Sequence, residues 1–105
     1  MKDINEKVRL VLLLDFYSNM LSEVQQQVIC DYAENDLSLS EIAAERNISR
    51  QAVSDIVNKS QAKLEALEAK LGIAKRFLNA KQKLTNLATA LPQAKLQIQK
   101  IIDEL

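Results

Sequence analysis

Histidine and tryptophan are absent from this 105-residue chain, and cysteine, glycine and proline occur once each. Each shortage removes a class of function or fold. Without histidine there is no imidazole to shuttle protons near neutral pH or to ligate a transition metal. The single cysteine, Cys30, excludes an intramolecular disulfide and cannot supply the paired spacing of a zinc site. It reads as a small core residue on an apolar helix stripe. One glycine and one proline are too few for the turns of an all-β domain. No glycine-rich phosphate loop occurs, and paired carboxylates such as Glu34 and Asp36 fall at a helix end. These absences predict a protein that is not an enzyme and has no catalytic residues, metal or cofactor.

Long apolar runs are missing as well. The longest, Leu10 to Leu14, is five residues and stops at Asp15, against the roughly 20 needed to cross a bilayer. The first residues, Met-Lys-Asp-Ile-Asn-Glu, lack the basic and then apolar layout of a signal peptide. A cytoplasmic protein without membrane insertion is expected.

What is there is aliphatic and charged. Phe16, Tyr17, Tyr32 and Phe77 are the only aromatics, so the core must be Leu, Ile, Val and Ala, as in helical bundles. The formal net charge is zero, but residues 1–60 hold six Lys/Arg against ten Asp/Glu, and residues 61–105 hold eight against four. An acidic first half weakens any reading that needs phosphate contacts there.

Helical periodicity runs the length of the chain, and no strand-like alternation occurs; the fold class is all-α. Ile4 to Met20 reads as a first helix with Val8, Val11, Leu12, Phe16 and Met20 on one face, widened by Leu10, Leu13, Leu14 and Tyr17. Ser22 and Gln25 form a capping box for a second helix, preceded by Leu21, with Val24, Val28, Ile29 and Tyr32 as its stripe. Glu34-Asn35-Asp36 ends that helix, because acidic groups oppose the negative end of the dipole. Ser38 and Glu41 repeat the capping box ahead of a short third helix that buries Leu39, Ile42 and Ala43. Asn47 takes the turn, where a left-handed backbone costs it less than most residues. Ile48 is expected as a buried plug, and Ser49 as the cap of a long fourth helix.

In that helix Val53, Val57, Ser60, Leu64, Leu67 and Leu71 alternate steps of four and three, the spacing of a coiled-coil seam. A second such run, Ile73, Phe77, Ala80, Leu84, Leu87 and Leu91, follows Gly72. A third, Ala94, Ile98, Ile101 and Leu105, follows Pro92. The expected organisation is a helix-turn-helix domain over residues 1–71 and a C-terminal helical extension over 72–105, packed on the long helix or continuing it. The seams could close within one chain or between two, as a homodimer.

Leu37 to Val57 has the layout of a helix-turn-helix: a short helix, a tight turn and a second helix set at a steep angle. Ala52, Val53, Ile56 and Val57 face inward, which leaves Arg50, Gln51, Ser54, Asp55 and Asn58 on the outer face. If the motif binds nucleic acid, Arg50, Gln51, Ser54 and Asn58 are the candidates to approach base edges, and Arg46 and Lys59 to meet phosphates. The same pattern also fits an αα-hairpin with a solvated face.

The run "LSLSEIAAERNISRQAVSDIV" resembles the final helix-turn-helix of bacterial sigma factors (region 4). It looks closest to the YlxM-like family of small bacterial proteins. The likeness extends to "LLDFYSNMLSEVQQQVICDYAENDLSLSEIAAERNISRQAVSDIV", in which the Phe16-Tyr17 pair leads through Leu21-Ser22 into a Gln-rich helix. It covers about residues 4–71, and Ser49 to Val53 ("SRQAV") is its most specific part. The chain departs from the family pattern at Asn47, commonly Gly, and at Ser54, often aromatic; the stretch after Ser54 is often more basic in relatives. The resemblance implies an accessory or regulatory role in the signal recognition particle pathway, with that particle's GTPase or its RNA as partner. It brings no catalytic residue. Read without the family, the same motif would fit a sequence-specific DNA-binding regulator or a protein–protein adaptor. The basic residues Lys70, Lys75, Arg76, Lys81 and Lys83 offer either a contact surface or a solvated helix face.

Overall fold

A computed structural model describes residues 4–105, and every regular element among them is helical. α1 spans Ile4–Tyr17 and ends in a 3₁₀ turn, Ser18–Met20. α2 spans Glu23–Ala33, α3 Leu39–Arg46 and α4 Arg50–Leu71. α5, Ile73–Ala90, is joined by a 3₁₀ turn at Pro92–Ala94 to α6, Lys95–Asp103. The chain divides into two compact units, residues 1–71 and 72–105. Gly72 takes a left-handed backbone (φ 63°) between them, which ends α4 and starts α5.

In the first unit α4 packs against α1, α2 and α3. Its contribution is the expected seam: Val53, Val57, Ser60 and Leu64 are buried. The seam's later members drift outward, with Leu67 half-buried and Leu71 exposed. Ser60 is tolerated inside because its hydroxyl donates to the Ile56 carbonyl at 2.7 Å, so no polar group is stranded.

α1 differs from expectation. Its buried residues are Leu10, Leu13, Leu14 and Tyr17, at steps of three, one and three, while Val8 is 62% and Met20 54% exposed. Two apolar arcs overlap on this helix, and periodicity alone does not say which one α2 and α4 will cover. Tyr17 settles the register: its ring is buried and its hydroxyl donates to Glu68 Oε1 of α4 at 2.6 Å. Val24 of α2 is likewise exposed, and the buried face of that helix is Val28, Ile29, Tyr32 and Ala33.

Arg9 and Glu65 also tie α1 to α4, through two parallel contacts of 2.6 and 2.7 Å. The Arg9 hydrogen bond holds the Glu65 carboxyl below the usual glutamate range. A carboxyl depressed by folding adds stability above its unfolded pKa and loses it as pH falls through the folded value. Glu65→Gln is therefore expected to cost about 0.5–1 kcal/mol at neutral pH and low salt, since both partners are partly solvated. The cost should vanish in acid and shrink in 1 M salt. Urea titrations of both chains across pH check it, and an undiminished cost well below pH 4 would contradict it.

The second unit is a two-helix hairpin in which α5 packs on α6. Ile98 is buried, and Leu84, Ala88 and Ile102 are half-buried. No helix among the described residues is long and apolar enough to cross a membrane.

Candidate binding cleft beside the recognition helix

Local capping fixes the two helices of the motif. Ser38 Oγ accepts from the Glu41 amide and Glu41 Oε1 accepts from the Ser38 amide, both at 3.0 Å. The Ser38 backbone bond holds the Glu41 carboxyl below its usual range, charged and oriented toward the helix start. At the other end of α3, Asn47 adopts φ 55°, ψ 45°, and the Ile48 amide donates to the Ala43 carbonyl at 3.1 Å. That bond closes a Schellman-type turn. Ser49 Oγ then accepts from the Ala52 amide at 3.0 Å and starts α4. The turn carries Ile48 outward, leaving it 39% exposed instead of serving as a plug. The space it was expected to fill is taken by Ile42, Ala43 and Val53.

The six candidate residues do not form one surface. Arg50, Ser54 and Asn58, along one flank of α4, line a cleft of about 610 Å³. None of the three side chains has a hydrogen-bond or ion-pair partner among the described residues. Gln51 lies outside the cleft, its amide donating to Asp55 Oδ1 at 3.0 Å. Lys59 is exposed and also outside it. Arg46 points the other way: its Nη2 donates to Gln27 Oε1 at 3.1 Å and lies 3.8 Å from Asp31 Oδ2. It fastens α3 to α2.

The opposite wall comes from residues the motif did not flag. Lys7 of α1, Tyr32 of α2, and Asp36, Leu37 and Leu39 around the α2–α3 connection face the same cavity. Lys7 Nζ pairs with Asp36 Oδ1 at 2.5 Å and sits 4.6 Å over the Tyr32 ring. The left-handed Asp36 (φ 55°) makes this approach, with the Leu37 amide donating to the Asp31 carbonyl at 3.0 Å. Burial pushes the Tyr32 phenol above its ordinary pKa, so it stays protonated. The cleft thus has an apolar floor (Leu37, Leu39, Val57), a neutralised Lys7–Asp36 pair, and in Arg50 a cation without a partner among the described residues.

No group of histidine, cysteine or carboxylate residues able to hold a metal occurs among the described residues. Cys30 is half-buried, and burial together with Glu34 and Asp31 pushes its thiol up, away from the reactive thiolate. Of the basic residues singled out by the sequence, Lys70 lies in the last turn of α4 and Lys75, Arg76, Lys81 and Lys83 on α5.

Comparison with known proteins agrees with this motif. The model of the UPF0122 family, described as "Putative helix-turn-helix protein, YlxM / p13 like", matches residues 4–104. A UPF0122 protein of Malacoplasma penetrans is 53% identical over 66 residues, 63% of this chain and 62% of that relative. The Fusobacterium nucleatum member is 39% identical over 102 residues, 97% of both chains. The Listeria monocytogenes member is 34% identical over 97 residues, 92% of this chain and 88% of its own. A family match that spans all six helices leaves no ambiguity: the chain belongs to the UPF0122 family of YlxM/p13-like helix-turn-helix proteins.

Proposed function

We propose that this chain is a non-catalytic accessory or regulatory protein of the signal recognition particle pathway, and that its cleft beside α4 binds the pathway's GTPase. The observation that carries the reading is the row Arg50, Ser54, Asn58: three polar side chains on one flank of α4, without partners among the described residues, over an apolar floor. Side chains poised in this way lose little on meeting a partner's polar groups, because no internal bond must break first. The support for the pathway is the likeness of the "SRQAV" segment to YlxM-like proteins and, more distantly, to sigma factor region 4.

Two features favour a protein ligand over a duplex. A cleft takes an inserted side chain, whereas a DNA groove is met by a convex helix face. Residues 1–71 also hold eight basic against twelve acidic groups, and Glu41 lines the cleft with Arg50. That field opposes phosphates.

The test is a titration of the full chain against the particle's GTPase, its RNA, and duplex DNA. The GTPase is expected to bind, and Arg50→Ala to weaken it roughly tenfold to a hundredfold, the worth of one charged hydrogen bond. Lys59→Ala, outside the cleft, should change affinity by about twofold or less. Absence of binding to both GTPase and RNA would remove the pathway. Tight, Arg50-dependent binding to duplex DNA would turn the reading to a transcriptional regulator.

A further inference from the structure

The α5–α6 hairpin carries features that the cleft does not use. One side of the hairpin is a mixed groove, with Thr85, Thr89, Lys95 and Gln99 around Ala88, Pro92 and Ile102. The helical period puts Ala80 and Leu87 of α5 and Ile101 of α6 on the other side of the seam, and Leu91 and Leu105 follow just beyond the ends of these helices. There they are open: Leu87 is 45%, Leu91 40%, Ile101 47% and Leu105 51% exposed. Two packed helices cover only half of each seam, and among the described residues these five are the half left exposed.

The charges around that strip are mostly basic, with Asp103 and Glu104 confined to its C-terminal end. Residues 72–102 contain six Lys/Arg and no Asp or Glu. Lys83, one turn before Leu87, makes no ion pair, and neither do Lys81, Lys95 or Lys100, among the described residues. We propose that this hairpin is a docking surface for a protein segment that is itself an acidic amphipathic helix. Its leucine-type face would cover Ala80, Leu87, Leu91, Ile101 and Leu105, and its flanking carboxylates would meet Lys83 and its neighbours.

Other occupants fit this surface less well. A second copy would bring two predominantly basic rims together, six Lys/Arg against two Asp/Glu in residues 72–105 of each, which like-charge repulsion opposes. A nucleic-acid backbone would use the lysines and leave the leucine strip wet. Interfacial membrane helices anchor with aromatic rings, and this unit has no Trp or Tyr and only a half-buried Phe77. An acidic helix satisfies both the strip and the charge. The inference is independent of the α4 cleft and of the pathway.

The probe is a synthetic helical peptide with leucines on one face and glutamates flanking them, titrated into the full chain by fluorescence anisotropy. Its twin has lysines in place of the glutamates. Saturable binding is expected for the glutamate peptide, about tenfold or more tighter than for the lysine twin, and weakening with salt. Leu87→Glu with Ile101→Glu should abolish it with unchanged helical circular dichroism, because both sites are half-exposed already. Lys83→Glu, which touches no packing, should weaken the glutamate peptide and strengthen its twin. Equal affinity for the two peptides overturns the proposal. So does tighter binding to phosphatidylglycerol vesicles or to an RNA duplex than to the glutamate peptide. A chain whose solution mass is that of a dimer, reverting to monomer in the Leu87→Glu, Ile101→Glu variant, overturns it equally.

Discussion

Leu13→Ala is expected to lower the stability of the first unit by about 2–5 kcal/mol, the usual range for emptying a closed aliphatic site. Leu13 is 0% exposed, on the α1 face that packs against α2 and α4. The substitution improves helix propensity, so any loss comes from packing and not from the helix itself. Leu13→Met, which conserves volume, should cost under about 1.5 kcal/mol. Val8→Ala, at a site 62% exposed, should stay within about 0.5 kcal/mol. The ordering is read as urea midpoints at constant m-value. A Val8 effect as large as that of Leu13 would mean that the face expected from periodicity, and not the observed one, is the core.

That contrast marks where the sequence is informative. Helix starts were legible because capping is local. Ser22 with Gln25, Ser38 with Glu41 and Ser49 with Ala52 all bond as their three-residue spacing implies. Asn47 at a left-handed turn was legible for the same reason, since few non-glycine residues tolerate it. Which arc of α1 faces inward was not, because Val8 and Leu10 are equally apolar and the choice lies with α2 and α4. Ile48 misled in a related way. An isoleucine beside a turn looks like core, but the bond from its amide to Ala43 fixes a backbone that carries it out.

The candidate site was half legible. Arg50, Ser54 and Asn58 follow from the four-residue repeat on α4, and the structure gathers them. Arg46 has the same charge and a neighbouring position, yet Gln27 and Asp31 claim it. Nothing local distinguishes the two arginines; only the packing of α3 on α2 does. The facing wall was invisible because Lys7 and Asp36 are 29 residues apart and meet through tertiary contact. The consequence is chemical: the motif read as an exposed helix face becomes one side of a cavity, and the ligand that fits changes with it.

Asn47→Val is expected to cost about 1–3 kcal/mol and to weaken partner binding at the cleft beyond what the lost stability explains. Asn47 sits at φ 55°, ψ 45°, where a β-branched side chain clashes with its own backbone. The unfolded chain feels no such strain, so the whole cost falls on the native state. Two bonds depend on this geometry: the Asn47 amide to Ala44 and the Ile48 amide to Ala43. Together they aim Ser49, which caps α4 and thereby places Arg50 one residue later and Ser54 one turn beyond. A turn relaxed toward negative φ would rotate the start of α4 and move Arg50 relative to Asp36 and Leu37. Asn47→Gly, free of the clash, should keep the turn, stay within about 1 kcal/mol of the parent and bind normally. The two variants separate backbone conformation from side-chain chemistry. If Val and Gly destabilise alike, the asparagine side chain and not the left-handed turn is what the site requires.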